Sequence, residues 1–121
     1  MTLETVVVFP VVILMIFGAI QGAFYLHADN VARSAASAAV HAASAELATA
    51  ADGHAAASSF LAQTGGESVL VGPNIQVNRG EESVTATVSG RSPSLVPGLD
   101  FGTITRSATA PVERWVEWEG P

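Results

Sequence analysis

Residues 5–26 read TVVVFPVVILMIFGAIQGAFYL, and residues 28–51 read ADNVARSAASAAVHAASAELATAA. The first stretch decides the fold. Its 22 residues carry no formally charged side chain, and the run from Val6 to Phe17 is apolar on every face. A helix rises about 1.5 Å per residue, so this one covers roughly 33 Å, enough to cross a hydrocarbon core of about 30 Å. A cleaved secretory signal would need a basic n-region, a shorter apolar stretch and a small-residue cleavage site. The flank here carries Glu4 and no base. A buried helix of a water-soluble core fares worse, because no other part of the chain is apolar enough to cover it. The segment reads as a single membrane span.

Inside the span, Pro10 lacks a backbone N–H and crowds the carbonyl of Val6, so a local loosening is expected there. Gly18 and Gly22 form a small-xxx-small pair, backed by Ala19 and Ala23, which lets a second helix approach closely. Gln21 lies near the far end, within reach of interfacial water or a neighbouring helix. Glu4 is a carboxylate at the rim of an apolar helix. Dragged into lipid without a partner it is costly, so it reads either as a headgroup-level charge or as one half of a pair made inside an assembly.

Working outward, the alanine-rich stretch from Ala28 to Ala51 continues the helix out of the membrane, since alanine is the best helix former. Asp29 and Arg33 are spaced for an i,i+4 ion pair. Leu26, Val40 and Leu47 fall within about 60° of one another on a helical projection, a narrow stripe facing the following domain. Asp52-Gly53 is expected to break the helix, with a second short helix from His54 to Gln63 and a boundary at Thr64-Gly65-Gly66. After that the period changes to two. Ile75–Asn78 alternates, Ser83–Ser89 alternates with Val84, Ala86 and Val88 on one face, and Thr103–Ala110 alternates with Ile104, Ala108 and Ala110 inward. Arg79–Glu82 is the hairpin loop between the first two. A short strand is expected at Ser68–Val71. Gly90–Gly102 is a long connection in which Leu95, Val96, Leu99 and Phe101 tuck down, and the tail with Trp115 and Trp118 extends the last strand.

The resulting class is α+β: a long N-terminal helix, its first half in the membrane and its second half packed on a small antiparallel β-sheet. The divisions are 1–27 for the anchor, 28–63 for an alanine-rich extracytoplasmic helical region and 64–121 for the β region. That β region is too small to bury much surface alone, so it has to close on the helix.

Composition excludes several classes. The net charge of −6 includes five arginines and no lysine, too few cations to displace counterions from nucleic acid. With no cysteine there is neither a disulfide framework nor a thiolate metal site. His27, His41 and His54 show no i,i+4 spacing and no surrounding ligand set. No serine sits in a nucleophile elbow, and Glu81-Glu82 reads as solvated loop charge. The chain reads as a non-enzyme with no cofactor, no metal and no small-molecule substrate.

The opening Thr2-Leu3-Glu4-Thr5, followed at once by an apolar helix with Pro10, resembles the TadE-like pseudopilins of tight-adherence (Flp) pilus systems, a branch of the type IV pilin-like proteins. The junction His27–Ala36 and the ending Ala108–Trp115 are similar too. The resemblance implies N-in, C-out topology in a bacterial cytoplasmic membrane, prepilin peptidase processing, and extraction into a filament or its tip complex. It also implies an assembly role for Glu4, with other pilin-like subunits and the pilus assembly machinery as partners, the length of the chain favouring a minor or accessory role over that of a main filament subunit. Pro10, Gly18 and Gly22 join Glu4 as expected assembly residues. The alternative is a membrane-tethered extracytoplasmic binding or accessory module that never enters a filament.

Overall fold

The computed structural model describes residues 2–95 and 101–112. Helix α1 runs without interruption from Leu3 to Ser44, 42 residues in all, and α2 runs from Ala50 to Gln63. A 3-10 turn at Gly66–Ser68 leads into three strands, β1 (Val71–Arg79), β2 (Ser83–Arg91) and β3 (Ile104–Pro111). They form an antiparallel meander in the order β1-β2-β3. The expected α+β class stands: a long apolar N-terminal helix, a second helix and one small sheet. The expected tail strand with Trp115 and Trp118 lies outside the described residues.

The sheet is two-faced because its side chains alternate. On one face Val84, Ala86, Val88 and Ile104 are buried. On the other, Thr85 opposes Thr109, Thr87 opposes Ser107 and Ser89 opposes Thr105. Two of those pairs join hydroxyls, at 3.3 Å and 3.0 Å. The buried face closes against α1, which supplies Ala28, Val31, Ala32, Ala35, Ala36, Ala39, Val40 and Ala43 to the core. Six of these eight are alanines with no exposed surface. Small side chains let the sheet and α2 approach the α1 backbone closely, so the core gains contact through proximity rather than through bulk.

This corrects the expected stripe. Val40 is buried, but Leu26 is 63% exposed and Leu47 is 92% exposed. The contact face follows the smallest residues, not the largest. The helix boundaries move as well. Propensity alone carries a helix to Ala51, yet α1 stops at Ser44, where Ala45 is already extended and Leu47 takes a left-handed φ of 68°. Arg79 of β1 donates from Nε to the carbonyl of Ala43 at 2.8 Å, satisfying one of the acceptors that a helix end leaves open. Thr49 then starts α2 through a capping box: its hydroxyl accepts from the Asp52 N–H, and the Asp52 carboxylate accepts from the Thr49 N–H at 2.8 Å. Asp52-Gly53 is therefore the first turn of α2 rather than a break. Of the expected strand at Ser68–Val71, Ser68 ends the 3-10 turn, Val69 and Leu70 form a turn and a bend, and only Val71 enters β1.

Gly53 is where α2 meets α1. A Cβ placed there would lie 2.7 Å from the Ala39 carbonyl oxygen and 2.8 Å from the Ala43 Cβ. Gly90 plays the same part in the sheet, where an added Cβ would fall 2.6 Å from the Leu70 Cγ. Alanine is a better helix former than glycine by about 1 kcal/mol, but overpacking a tight core costs about 1–3 kcal/mol. Gly53→Ala should therefore lower stability, by about 1 kcal/mol net. Urea unfolding of the full chain in detergent, followed by circular dichroism, checks this. A variant more stable than the parent would mean that the two helices are not packed this tightly.

Candidate membrane and assembly interface

The N-terminal part of α1 is largely exposed. Its most apolar 18-residue window is wholly unburied, and Leu3, Val8, Phe9, Leu14, Met15 and Ile16 each expose more than half of their surface. In water such a surface would be untenable for a helix of this length. In a bilayer it is the ordinary lipid-facing exterior, because a helix satisfies its interior N–H and C=O groups within itself, the Val6 carbonyl opposite Pro10 excepted. Among the described residues this is the one helix long and apolar enough to cross a membrane.

The expected assembly residues all lie on this segment. Glu4 sits exposed in the first turn, where a negative charge complements the positive end of the helix dipole. Thr2, at the N-cap, makes no side-chain capping bond to the backbone. Helix α1 continues through Pro10. Gly18 and Gly22 are one turn apart, and a Cβ added to either would meet nothing within 4 Å. The four are thus spread along one exposed rod, and the chain itself brings none of them together.

Gln21 behaves differently from the expectation of water or a neighbouring helix. It is 1% exposed. Its Nε2 donates to the Pro93 carbonyl at 2.7 Å, and its Oε1 accepts from the Leu95 N–H at 2.8 Å. The connection after β2 is thereby fastened to α1 seven residues before the first buried alanine, Ala28. One turn further on, the rings of Tyr25 and Phe101 meet edge to face, 5.8 Å between centroids. Of the four residues expected to tuck this connection down, Leu95 and Phe101 remain 43% and 49% exposed. Val96 and Leu99 lie outside the described residues.

A second tie lies just past the span. The expected Asp29–Arg33 pair is present at 3.2 Å. Asp29 is also bonded by the guanidinium of Arg106 on β3. Period-two alternation sets Arg106 on the inward face with Ile104, Ala108 and Ala110, opposite Val88. A cation on that parity needs an anion from whatever covers the sheet, and Asp29 is that anion. The same reasoning applies to Arg79, which shares its parity with Ile75 and Val77 and reaches the end of α1. Both contacts are legible from inward-facing arginines, a signal that a search for apolar faces passes over.

Elsewhere the polar groups are dispersed. His27, His41 and His54 are exposed on the two helices, and Glu81 and Glu82 occupy the β1–β2 turn. Among the described residues no group of three or more His, Cys, Asp or Glu side chains comes together.

Residues 1–41 match the family model for TadE-like protein. This segment is similar to the TadE-like proteins. The match takes in the whole apolar rod and nearly all of the alanine face of α1, and it ends just before the helix does. No curated protein and no solved structure matches the chain. The similarity is to pilin-like proteins associated with Tad pilus systems, and one N-terminal apolar helix fits membrane anchoring.

The ties to Asp29 differ in strength. An i,i+4 pair at a helix surface contributes about 0.3–0.5 kcal/mol, whereas Asp29 and Arg106 join two elements at a side chain with only 9% of its surface exposed. A double-mutant cycle should give a coupling of about 1–3 kcal/mol for Asp29→Ala with Arg106→Ala, and under about 0.5 kcal/mol for Asp29→Ala with Arg33→Ala. Equal couplings would mean that Arg106 is merely another surface charge.

Proposed function

We propose that this chain is a pilin-like subunit of a Tad/Flp-type pilus, held in the bacterial cytoplasmic membrane by α1 with its N-terminus inside, and later taken into the pilus or its tip complex. In this reading it is a minor or accessory structural component that serves pilus biogenesis and surface adhesion, and it is not an enzyme. The observation that carries the reading is an overlap: the TadE-like match includes the whole of the bare apolar rod. A rod of this kind serves equally as an anchor in lipid and, after extraction, as a strand of packed helices whose other members replace the lipid.

Glu4, Pro10, Gly18 and Gly22 are the residues assigned to that packing. Among close-packed apolar helices, the Glu4 carboxylate needs a cationic partner, and the amino group of a neighbouring subunit supplies one while setting axial register. Gly18 and Gly22 give a neighbouring helix open room for close approach. Pro10 frees the Val6 carbonyl from its helical bond and loosens the rod locally. The divisions 1–27, 28–63 and 64–121 then correspond to a packing rod, a helical connector and a displayed β region. The alternative reading, a tethered accessory module that stays in the bilayer, has the same anchor but no use for Glu4.

Removing one partner of a buried ion pair costs about 3–5 kcal/mol, and about 1.4 kcal/mol already changes an equilibrium tenfold. Glu4→Ala should insert and fold normally, while the ratio of sheared surface protein to membrane-bound protein falls roughly tenfold or more. Glu4→Asp should fall between. Equal ratios for all three proteins, with pili assembling normally, would favour the tethered module. In parallel, replacing Gly18 and Gly22 together by Leu should keep the span inserted and reduce crosslinking to partner subunits. Unchanged crosslinking would make both glycines ordinary membrane residues.

A further inference from the structure

None of the residues from Leu3 to Ile20 is buried, and Gln21 is the first residue of α1 that is. Eighteen residues at about 1.5 Å each span roughly 27 Å, just short of a hydrocarbon core of about 30 Å. Gln21 therefore lies at the outer boundary of the hydrocarbon, and Gly22–Leu26 falls within the headgroup layer. The β2–β3 connection is fixed at this height by the two Gln21 bonds to Pro93 and Leu95 and by the Tyr25–Phe101 ring contact.

Four apolar side chains are left outward at this level. Leu95 is 43% exposed and Phe101 49% on the connection, and Phe24 is 37% exposed and Leu26 63% on the helix. Phe24 and Leu26 follow the lipid-facing rod directly along α1, and Leu95 and Phe101 are held beside it by the contacts to Gln21 and Tyr25. The hydrogen bonding suits the same setting. A carboxamide, or a loop carbonyl and N–H, is costly at the edge of lipid without a partner, and here the amide of Gln21 and the backbone of Pro93 and Leu95 satisfy one another.

We propose that Leu95 and Phe101 form a membrane-contacting collar: these two side chains enter the headgroup–acyl boundary of the bilayer that holds α1, and so seat the extramembrane domain on the lipid surface. The occupant is the lipid of that bilayer, since the patch is continuous with the surface already in contact with it. The collar makes a second, shallow lipid contact beside the span. It fixes the depth of the domain and opposes rocking of the domain on its helix. It rests on the reading of α1 as the anchor.

The chain has no cysteine, so single labelling sites are clean. Leu95→Cys, Phe101→Cys, Ile13→Cys, Ser59→Cys and Thr109→Cys are each labelled with an NBD fluorophore. Each full chain is then reconstituted in phosphatidylcholine–phosphatidylglycerol vesicles with and without a lipid bearing a nitroxide high on its acyl chain. The labels at 95 and 101 should be quenched at least about twofold more than those at 59 and 109, as for groups at the headgroup–acyl boundary. Gln21→Leu, which keeps the span apolar but removes both bonds, should cut the quenching at 95. The collar is overturned if 95 and 101 match 59 and 109 while 13 remains quenched. It is also overturned if their environment depends on protein density rather than on lipid quencher, which would assign the patch to another copy of the chain. An unquenched label at 13 would overturn the anchor itself, a separate failure.

Discussion

The apolar face of the sheet closes on the alanine face of α1, with α2 covering the β1 side, and the folded domain depends on that closure. Three strands of eight or nine residues bury little surface by themselves. The helix that covers them cannot be bulky, because its other sides must also receive α2 and carry the chain into the span. Alanine answers both demands. It keeps the helix stable by propensity and lets the strand backbones come near enough for dispersion contacts to accumulate. Glycine takes over at the two tightest approaches, Gly53 and Gly90.

That choice explains what the amino-acid sequence reveals and what it conceals. The span is plain from an uncharged apolar run, and β2 and β3 are plain from alternation. The shape of the whole follows once the sheet is seen to be too small to stand alone. The stripe Leu26–Val40–Leu47 misleads because a moment weighted by side-chain size points toward bulk, whereas this core is organised by the absence of bulk. The end of α1 is hidden for a related reason: nothing in the local run of alanines stops a helix there. The stop is tertiary, through Arg79, and the restart is the Thr49–Asp52 box, a three-residue spacing visible in the sequence but masked by the expectation that Gly53 must break a helix. The residues proposed for assembly, Glu4 and the glycines, are legible only by their position along the apolar rod.

The polar contacts that join the layers share a pattern. Gln21, Asp29 and the carbonyl of Ala43 lie along the domain-facing side of α1, and each is met from the β region, by the 93–95 connection, by Arg106 and by Arg79. Directional bonds of this sort fix register where alanine packing alone is permissive, since a smooth apolar face slides at little cost. The inward arginines specify how the sheet sits on the helix, and Gln21 specifies where its last connection lies.

These three fastenings also determine how the molecule bears load. They are spaced along α1 from position 21 to position 43, roughly 33 Å of helix, with the alanine seam continuous between them. A force drawing the rod lengthwise out of the bilayer acts parallel to that seam. The fastenings and the packed face are then strained together, in shear, instead of being unzipped one after another from an end. A domain laid along its helix in this way resists traction far better than one hung from the tip of it.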